Sequence, residues 1–237
     1  MDVVLDTASP PVADPAATVQ DAFARRLGRV RVTVRPGPFS AVLSEARFGY
    51  VRLLEVQADA LRLARTSRLV AENPGTGVAV AFQRHGTGEL TQDGRGTFLR
   101  DGELCLLDLR RPFALRWHGR FTLRLVRLPD RALAVPEAVL AAGTGRAISA
   151  SDGRAGILLP LLERPADVLA PLAPAVADRL AGHTAEILAA VLTEAAAGAD
   201  RVPRTGRRAI APIGASMPPA VPEGRSGSPG RAGRAVN

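Results

Sequence analysis

Between Val78 and Pro129, short alternating apolar runs are separated by X-Gly pairs at Asp93-Gly94, Asp101-Gly102 and His118-Gly119. Glycine has no Cβ to clash at positive φ, and Asp tolerates the left-handed region, so such pairs suit two-residue hairpin turns. Strands are expected on both sides of each pair, joined as a β-meander. The side chains agree with a period of two. Val78, Val80 and Phe82 share one face, as do Phe113, Leu115 and Trp117, and then Phe121, Leu123 and Leu125. Arg116, Thr122 and Arg124 fall on the opposite faces and are expected to meet water or a neighbour.

Turn signals recurring roughly every 8–12 residues mark an antiparallel sandwich or barrel and not a βαβ sheet. The expected fold is mainly β with C-terminal helices: a cupin-like jelly-roll or barrel of about eight to ten strands, followed by a helical segment and a disordered tail. Before the central stretch, residues 1–13 read as a flexible N-terminus. Asp14-Pro15 reads as an N-cap followed by proline at the first helical position, opening a helix that ends at Gly28. Val19, Phe23 and Leu27 give that helix one apolar stripe, with Asp21, Arg25 and Arg26 on its polar face. Further strands are expected over Arg29–Val34 and Phe48–Leu63, and Asn73-Pro74-Gly75 reads as a turn. The whole divides into one domain over 14–199, with its barrel at about 29–129 and helices at about 130–199, and a tail over 200–237.

After Pro129 the period changes to that of helices, interrupted by Pro160, Pro165, Pro171 and Pro174. The best helix runs from Pro174 to Ala197, with Val176, Leu180, Ile187, Val191 and Leu192 on one side. Residues after Arg201 hold six prolines and six glycines with no apolar period, a composition that cannot offset its own ordering entropy. The chain contains no lysine, so all 31 basic residues are arginine. Its net charge of +8 suggests nucleic acid only until it is located: seven arginines against Asp200 and Glu223 put +5 in the tail, leaving the body near neutrality. The single cysteine excludes an internal disulfide, the N-terminus lacks a signal-peptide pattern, and no apolar run is long enough for a membrane span, so a cytoplasmic protein is expected.

Metal-dependent barrels of this kind use a His-x-His pair with a Glu and a later His, whereas His85, His118 and His183 have no such spacing. No metal site, cofactor or catalytic residue is therefore expected, and Cys105, flanked by Leu104 and Leu106, reads as a packed thiol. Arg65 and Arg68 are candidate clamps for an anionic effector, against the commoner reading of exposed strand arginines. Asp108, beside Arg110, Arg111 and Pro112, is a candidate ligand-facing corner, against the commoner reading of a brace for a tight turn.

Three patches carry a family resemblance. Arg65-Thr66-Ser67-Arg68-Leu69, the hairpin from Gly88 to Gln92-Asp93-Gly94-Arg95, and Leu106–Phe113 (LLDLRRPF) stand in the order and spacing of the N-terminal effector-binding and dimerisation domain of AraC-type transcription regulators. The chain resembles that domain over about residues 20–197. It departs from the family's usual Pro-Gly-Asp turn, with Arg100-Asp101-Gly102-Glu103 in its place. The resemblance implies a small-molecule effector in the barrel and dimerisation through the C-terminal helices, with Leu180, Ile187 and Val191 as candidate interface residues, in a homodimer or a heterodimer with a full-length regulator. The family reads DNA through C-terminal helix-turn-helix units, and the Arg/Pro/Gly-rich residues 200–237 cannot supply a recognition helix. A DNA-binding half replaced by truncation or frameshift is expected, and with it no specific DNA binding. The alternatives are a stand-alone cupin-like enzyme and a remnant without function.

Overall fold

The computed structural model describes residues 2–8, 13–149, 155–163 and 172–199; the expected tail over 200–237 lies outside them. In chain order the elements are β1 (Asp2–Asp6), α1 (Pro15–Leu27), β2 (Arg31–Val34), β3 (Ala41–Phe48), β4 (Val51–Ala58) and β5 (Leu61–Arg65). They continue with α2 (Ser67–Glu72), β6 (Val78–His85), β7 (Gly88–Gln92), β8 (Arg95–Leu99), β9 (Glu103–Asp108), β10 (Phe113–Trp117) and β11 (Phe121–Leu128). A 3-10 turn (Asp130–Ala132), α3 (Glu137–Gly143), β12 (Ala147–Ser149), α4 (Ala155–Glu163) and α5 (Pro174–Ala199) complete them.

Two antiparallel sheets face each other, one ordered β1-β3-β4-β11-β6-β9-β12 and the other β2-β5-β10-β7-β8. This is the expected jelly roll, but not a meander. Asp93-Gly94 does close a hairpin between β7 and β8, with φ of 52° and 71°. The Asp101-Gly102 turn instead carries the chain from β8 to β9 in the opposite sheet, and His118-Gly119 carries it from β10 to β11, also across. Gly102 alone has positive φ in the first of these, and the turn is closed by the Glu103 N–H donating to the Arg100 carbonyl at 2.9 Å. An X-Gly pair permits a tight reversal, but the pairing of flanking strands is decided by which apolar faces must meet.

The N-terminal segment expected to be loose contributes β1, which pairs with β3 along the sheet edge. Helix α1 begins as expected, with the Asp14 carboxylate accepting from the Ala17 N–H at 2.9 Å. The stretch after Arg65 is not a strand: Thr66 caps the short α2 by accepting from Leu69 N–H at 3.3 Å. Strands β3 and β12 were not anticipated.

The larger sheet is buried on both faces. Inside the barrel it presents Leu43, Leu54, Val56, Ala79, Ala81, Leu107, Leu123 and Leu125 to the second sheet's Leu63, Leu90, Phe113, Leu115 and Trp117. Trp117 and Phe121 stack there at 4.0 Å between centroids and 7° between planes. On the outer face, Leu53, Val80, Phe82, Leu104 and Val126 meet the helices, including α5 through Ala177, Ala181, Ala185, Leu188, Val191 and Leu192. Arg124, on this outer face, is buried and meets a neighbour, Glu55 of the adjacent strand, as the alternation allowed.

Helix α5 therefore packs with a face rotated from the expected stripe: Val176 is exposed, while alanines at 177, 181 and 185 allow close approach to the sheet. Gly49, at φ 51°, sits in the β3–β4 turn where any Cβ would crowd Ala181 and Asp178. Val191, an expected interface residue, is 2% exposed and packs into this intramolecular core; Leu180 and Ile187 lie half-buried along its flank.

Candidate functional site

The residues singled out from sequence do not converge on one pocket. Arg65 is 1% exposed, and all three nitrogens of its guanidinium donate to main-chain carbonyls: Nε to Leu109 at 3.1 Å, Nη1 to Arg29 at 2.7 Å and Nη2 to Asn73. It ties the end of α1, the 73–77 loop and the β9–β10 corner together as a structural clamp. Gly28 and Gly75 make room for it, since a Cβ at either would press on the guanidinium. Arg68 lies on α2, exposed, and its Nε donates to Glu72 at 2.7 Å one turn away.

Asp108 is the corner brace. Its Oδ1 accepts from the N–H and Nε of Arg110, both at 2.9 Å, and Oδ2 from Arg110 Nη2 at 2.8 Å. The Gln92 amide locks the same residue from the neighbouring strand, Nε2 donating to the Asp108 carbonyl at 2.8 Å and Oε1 accepting its N–H at 2.9 Å. Arg110 also reaches Glu137 on α3 at 2.9 Å. Its hydrogen bond to Asp108 raises the guanidinium pKa above its ordinary value against the opposing effect of burial, with Glu137 adding to the rise. Both carboxylate oxygens of Asp108 are engaged internally, with its side chain 5% exposed, which is the brace reading of this corner.

Cys105 is fully buried, and burial pushes its thiol up to about 12, far from a nucleophile's range. Among the described residues no three His, Cys, Asp or Glu side chains come together as metal ligands. His118 pairs with Glu89 at 2.9 Å on the surface, and His183 lies 3.5 Å from Glu186 along α5.

A concave site does exist, at the mouth of the barrel. In three adjacent strands the face that lines the interior ends in a charged residue: Leu43 gives way to Glu45, Leu54 to Arg52 and Leu125 to Arg127. The pairing registers Arg127 directly across from Arg52, and Glu45 across from Leu54. The last turn of α1 closes over them with Arg25 and Arg26. The resulting cleft of about 450 Å³ is lined by these five residues together with Tyr50, Thr76 and Pro129. Adjoining it is a recess of about 10 Å³, room for one water, whose interior-facing apolar lining is Leu27, Leu54 and Leu125.

The cleft's charges are partly fixed. Glu45 Oε2 accepts from Arg26 Nε at 3.0 Å and Nη2 at 2.8 Å, while its Oε1 stands 3.6 Å from Arg52 Nη1. Arg26 Nη1 also donates to the Ala22 carbonyl at 2.7 Å, and Arg127 donates to the carbonyls of Arg26 at 2.7 Å and Thr76 at 3.2 Å. Arg65 stands behind this wall, since it anchors the loop that carries Thr76. Arg25 and Arg26 are legible in the chain as a polar helix face, whereas no local motif marks Arg52, Glu45 or Arg127. Their signal is strand register: a charge ending an otherwise apolar strand face marks a rim.

The outer face of the same sheet holds a second charged group. Glu55 accepts from Arg84 Nη1 at 3.0 Å and from Arg124 Nη2. Burial alone would raise the Glu55 carboxyl, but the Arg124 hydrogen bond and the Arg124 and Arg84 charges outweigh it and hold the pKa below its ordinary value.

Known proteins share this architecture. The transcriptional activator NphR of Rhodococcus sp is 30% identical over 158 residues, which are 66% of this chain and 47% of NphR. The chain thus spans about half the length of that curated relative. The crystal structure of the AraC-like transcriptional activator CuxR matches with a TM-score of 0.66 at 19% identity, over 75% of this chain and 66% of CuxR, a likeness of fold. The AraC-binding-like domain matches residues 19–193, from within α1 to the last turns of α5, and the chain belongs to that family.

Proposed function

We propose that the chain is the ligand-sensing and dimerisation domain of an AraC-type transcription regulator, working in the cytoplasm by binding and not by catalysis. The observation that carries this reading is the open, charged cleft at the mouth of a barrel in a chain whose family match runs from α1 to α5. The buried thiol and the fully engaged Asp108 corner leave those groups without a catalytic part. Self-association is assigned to the flank of α5 at Leu180 and Ile187, half-buried apolar side chains that a partner helix would cover further. Residues 200–237, rich in arginine, proline and glycine, offer no amphipathic run for a major groove. DNA contact is assigned not to this stretch but to helix-turn-helix residues elsewhere in the regulator or in a partner with which it pairs.

Light scattering on the full chain tests the association, with circular dichroism to check folding. A dimer that the Leu180→Asp/Ile187→Asp variant splits into folded monomers is expected; a wild-type monomer at tens of micromolar would remove dimerisation from the reading. Sequence-specific retardation of operator DNA by the chain alone would overturn that assignment of DNA contact.

A further inference from the structure

We propose that the barrel-mouth cleft binds a small organic anion with an apolar body, a carboxylate or phosphate ester whose oxygens take the place of Glu45 on the arginines. This rests on the sensing role proposed above and adds the chemistry of the ligand. Four guanidinium groups, of Arg25, Arg26, Arg52 and Arg127, converge on a concave space of about 450 Å³ in which Glu45 is the lining carboxylate. The cleft therefore carries a local excess of positive charge, in a body that is close to neutral outside residues 200–237. Concavity strengthens that field over the one a flat, solvated patch would have.

Glu45 shows which chemistry fits. Its carboxylate lies between Arg26 and Arg52, bonded at 2.8–3.0 Å to the first and 3.6 Å from the second, so the two guanidiniums already stand around one oxyanion. Arg52 is half-exposed with no shorter ion pair, and Arg25 has no hydrogen-bond or ion-pair partner among the described residues. These two cations can accept a second anion. Arg26 and Arg127 are held by main-chain carbonyls, so their donors are positioned before any ligand arrives.

The rest of the lining explains why the anion should have an apolar body. The cleft also presents the Tyr50 ring and Pro129, and it shares Arg26, Glu45, Arg52 and Arg127 with an adjoining recess of about 10 Å³ lined by Leu27, Leu54 and Leu125. A ligand whose oxygens displace Glu45 would lay its carbon skeleton against Tyr50 and Pro129 and, as the Arg26–Glu45 pair parts, against these leucines, gaining apolar burial that an inorganic anion cannot.

Calorimetry on the full chain at low salt tests this with three anions and their neutral counterparts: benzoate with benzamide, hexanoate with hexanamide, and glucose 6-phosphate with glucose. At least one anion is expected to bind while its counterpart does not, and inorganic phosphate should bind more weakly than that anion. Arg25→Gln/Arg52→Gln should weaken it by about tenfold, the loss of charge-assisted contacts at partly exposed sites. Glu45→Gln, which removes the internal competitor, should tighten it by about threefold. Arg100→Gln, at the opposite end of the barrel, should change nothing. Failure of all three anions to bind, or binding indifferent to the arginine pair, overturns the proposal. A neutral compound that binds equally well in wild type and in the arginine variant would overturn the ligand class while leaving the sensing role intact.

Discussion

Removing the Arg65 guanidinium is the sharpest test of how the barrel mouth is built. In Arg65→Met the aliphatic stem is largely conserved, while the three donors to Leu109, Arg29 and Asn73 are lost. The Leu109 carbonyl is buried and would be left unpaired, at a cost of about 1–3 kcal/mol. The other two are partly accessible, so water can recover much of each bond, leaving about 0.5–1 kcal/mol apiece. Relief of the buried cation offsets part of this, and a net loss of about 3 kcal/mol is expected. For a domain of this size that corresponds to roughly 6–12 °C in Tm. Urea unfolding followed by circular dichroism measures it, and hydrogen exchange should show faster opening at the Leu109 amide, which donates to the Gly77 carbonyl beside the clamp. Arg65→Lys should fare no better than Met, because one ammonium cannot reach three carbonyls in fixed directions yet keeps its desolvation cost. A Met variant within about 1 kcal/mol of wild type, or full rescue by Lys, would refute the carbonyl-clamp account.

Other outcomes follow from the same geometry. Glu55 has a folded pKa below its unfolded one, so its contribution is complete above the ordinary carboxylate range and is lost as pH falls through the folded value. Glu55→Gln should accordingly flatten the decline in stability between about pH 5 and 3 measured by urea titration. Cys105, buried and raised to about 12, should react with a thiol reagent at pH 8 only as fast as the protein opens, so the rate should rise with urea in step with unfolding. Phe121→Ala should cost about 3–5 kcal/mol by removing the ring stacked on Trp117, and should red-shift the emission of this single tryptophan. Gly75→Ala should destabilise by about 1–3 kcal/mol, because its Cβ would fall on the Leu109 carbonyl that Arg65 uses.

The candidate site was only half legible in the linear chain. Arg65, Arg68 and Asp108 drew notice as charges near turns, yet two of them are consumed by local architecture: Arg65 by carbonyls up to 44 residues away and Asp108 by its own corner and Gln92. Charge at a turn says nothing of where its partners lie. The cleft residues come from α1, β3, β4 and β11, and the Arg127–Arg26 contact joins positions 101 residues apart. What marked three of them was register: each continues an apolar interior face past the point where the barrel closes.

Short-range signals were enough to place the local elements. The Asp14-Pro15 cap, the Asp93-Gly94 hairpin and the period-two apolar runs each depend on neighbours a few residues apart, so they read directly as α1, the β7–β8 turn and strands. Strand pairing depends on long-range packing, because Asp101-Gly102 and His118-Gly119 could serve a hairpin or a passage between sheets equally well. The same packing also decides which face of α5 is interior. Leucine, isoleucine and valine made one stripe look like the packing face, but the close sheet beneath selects the small side chains of Ala177, Ala181 and Ala185 and leaves Leu180 and Ile187 at the edge. Hydrophobicity orders residues along a helix; the shape of the surface it meets chooses among them.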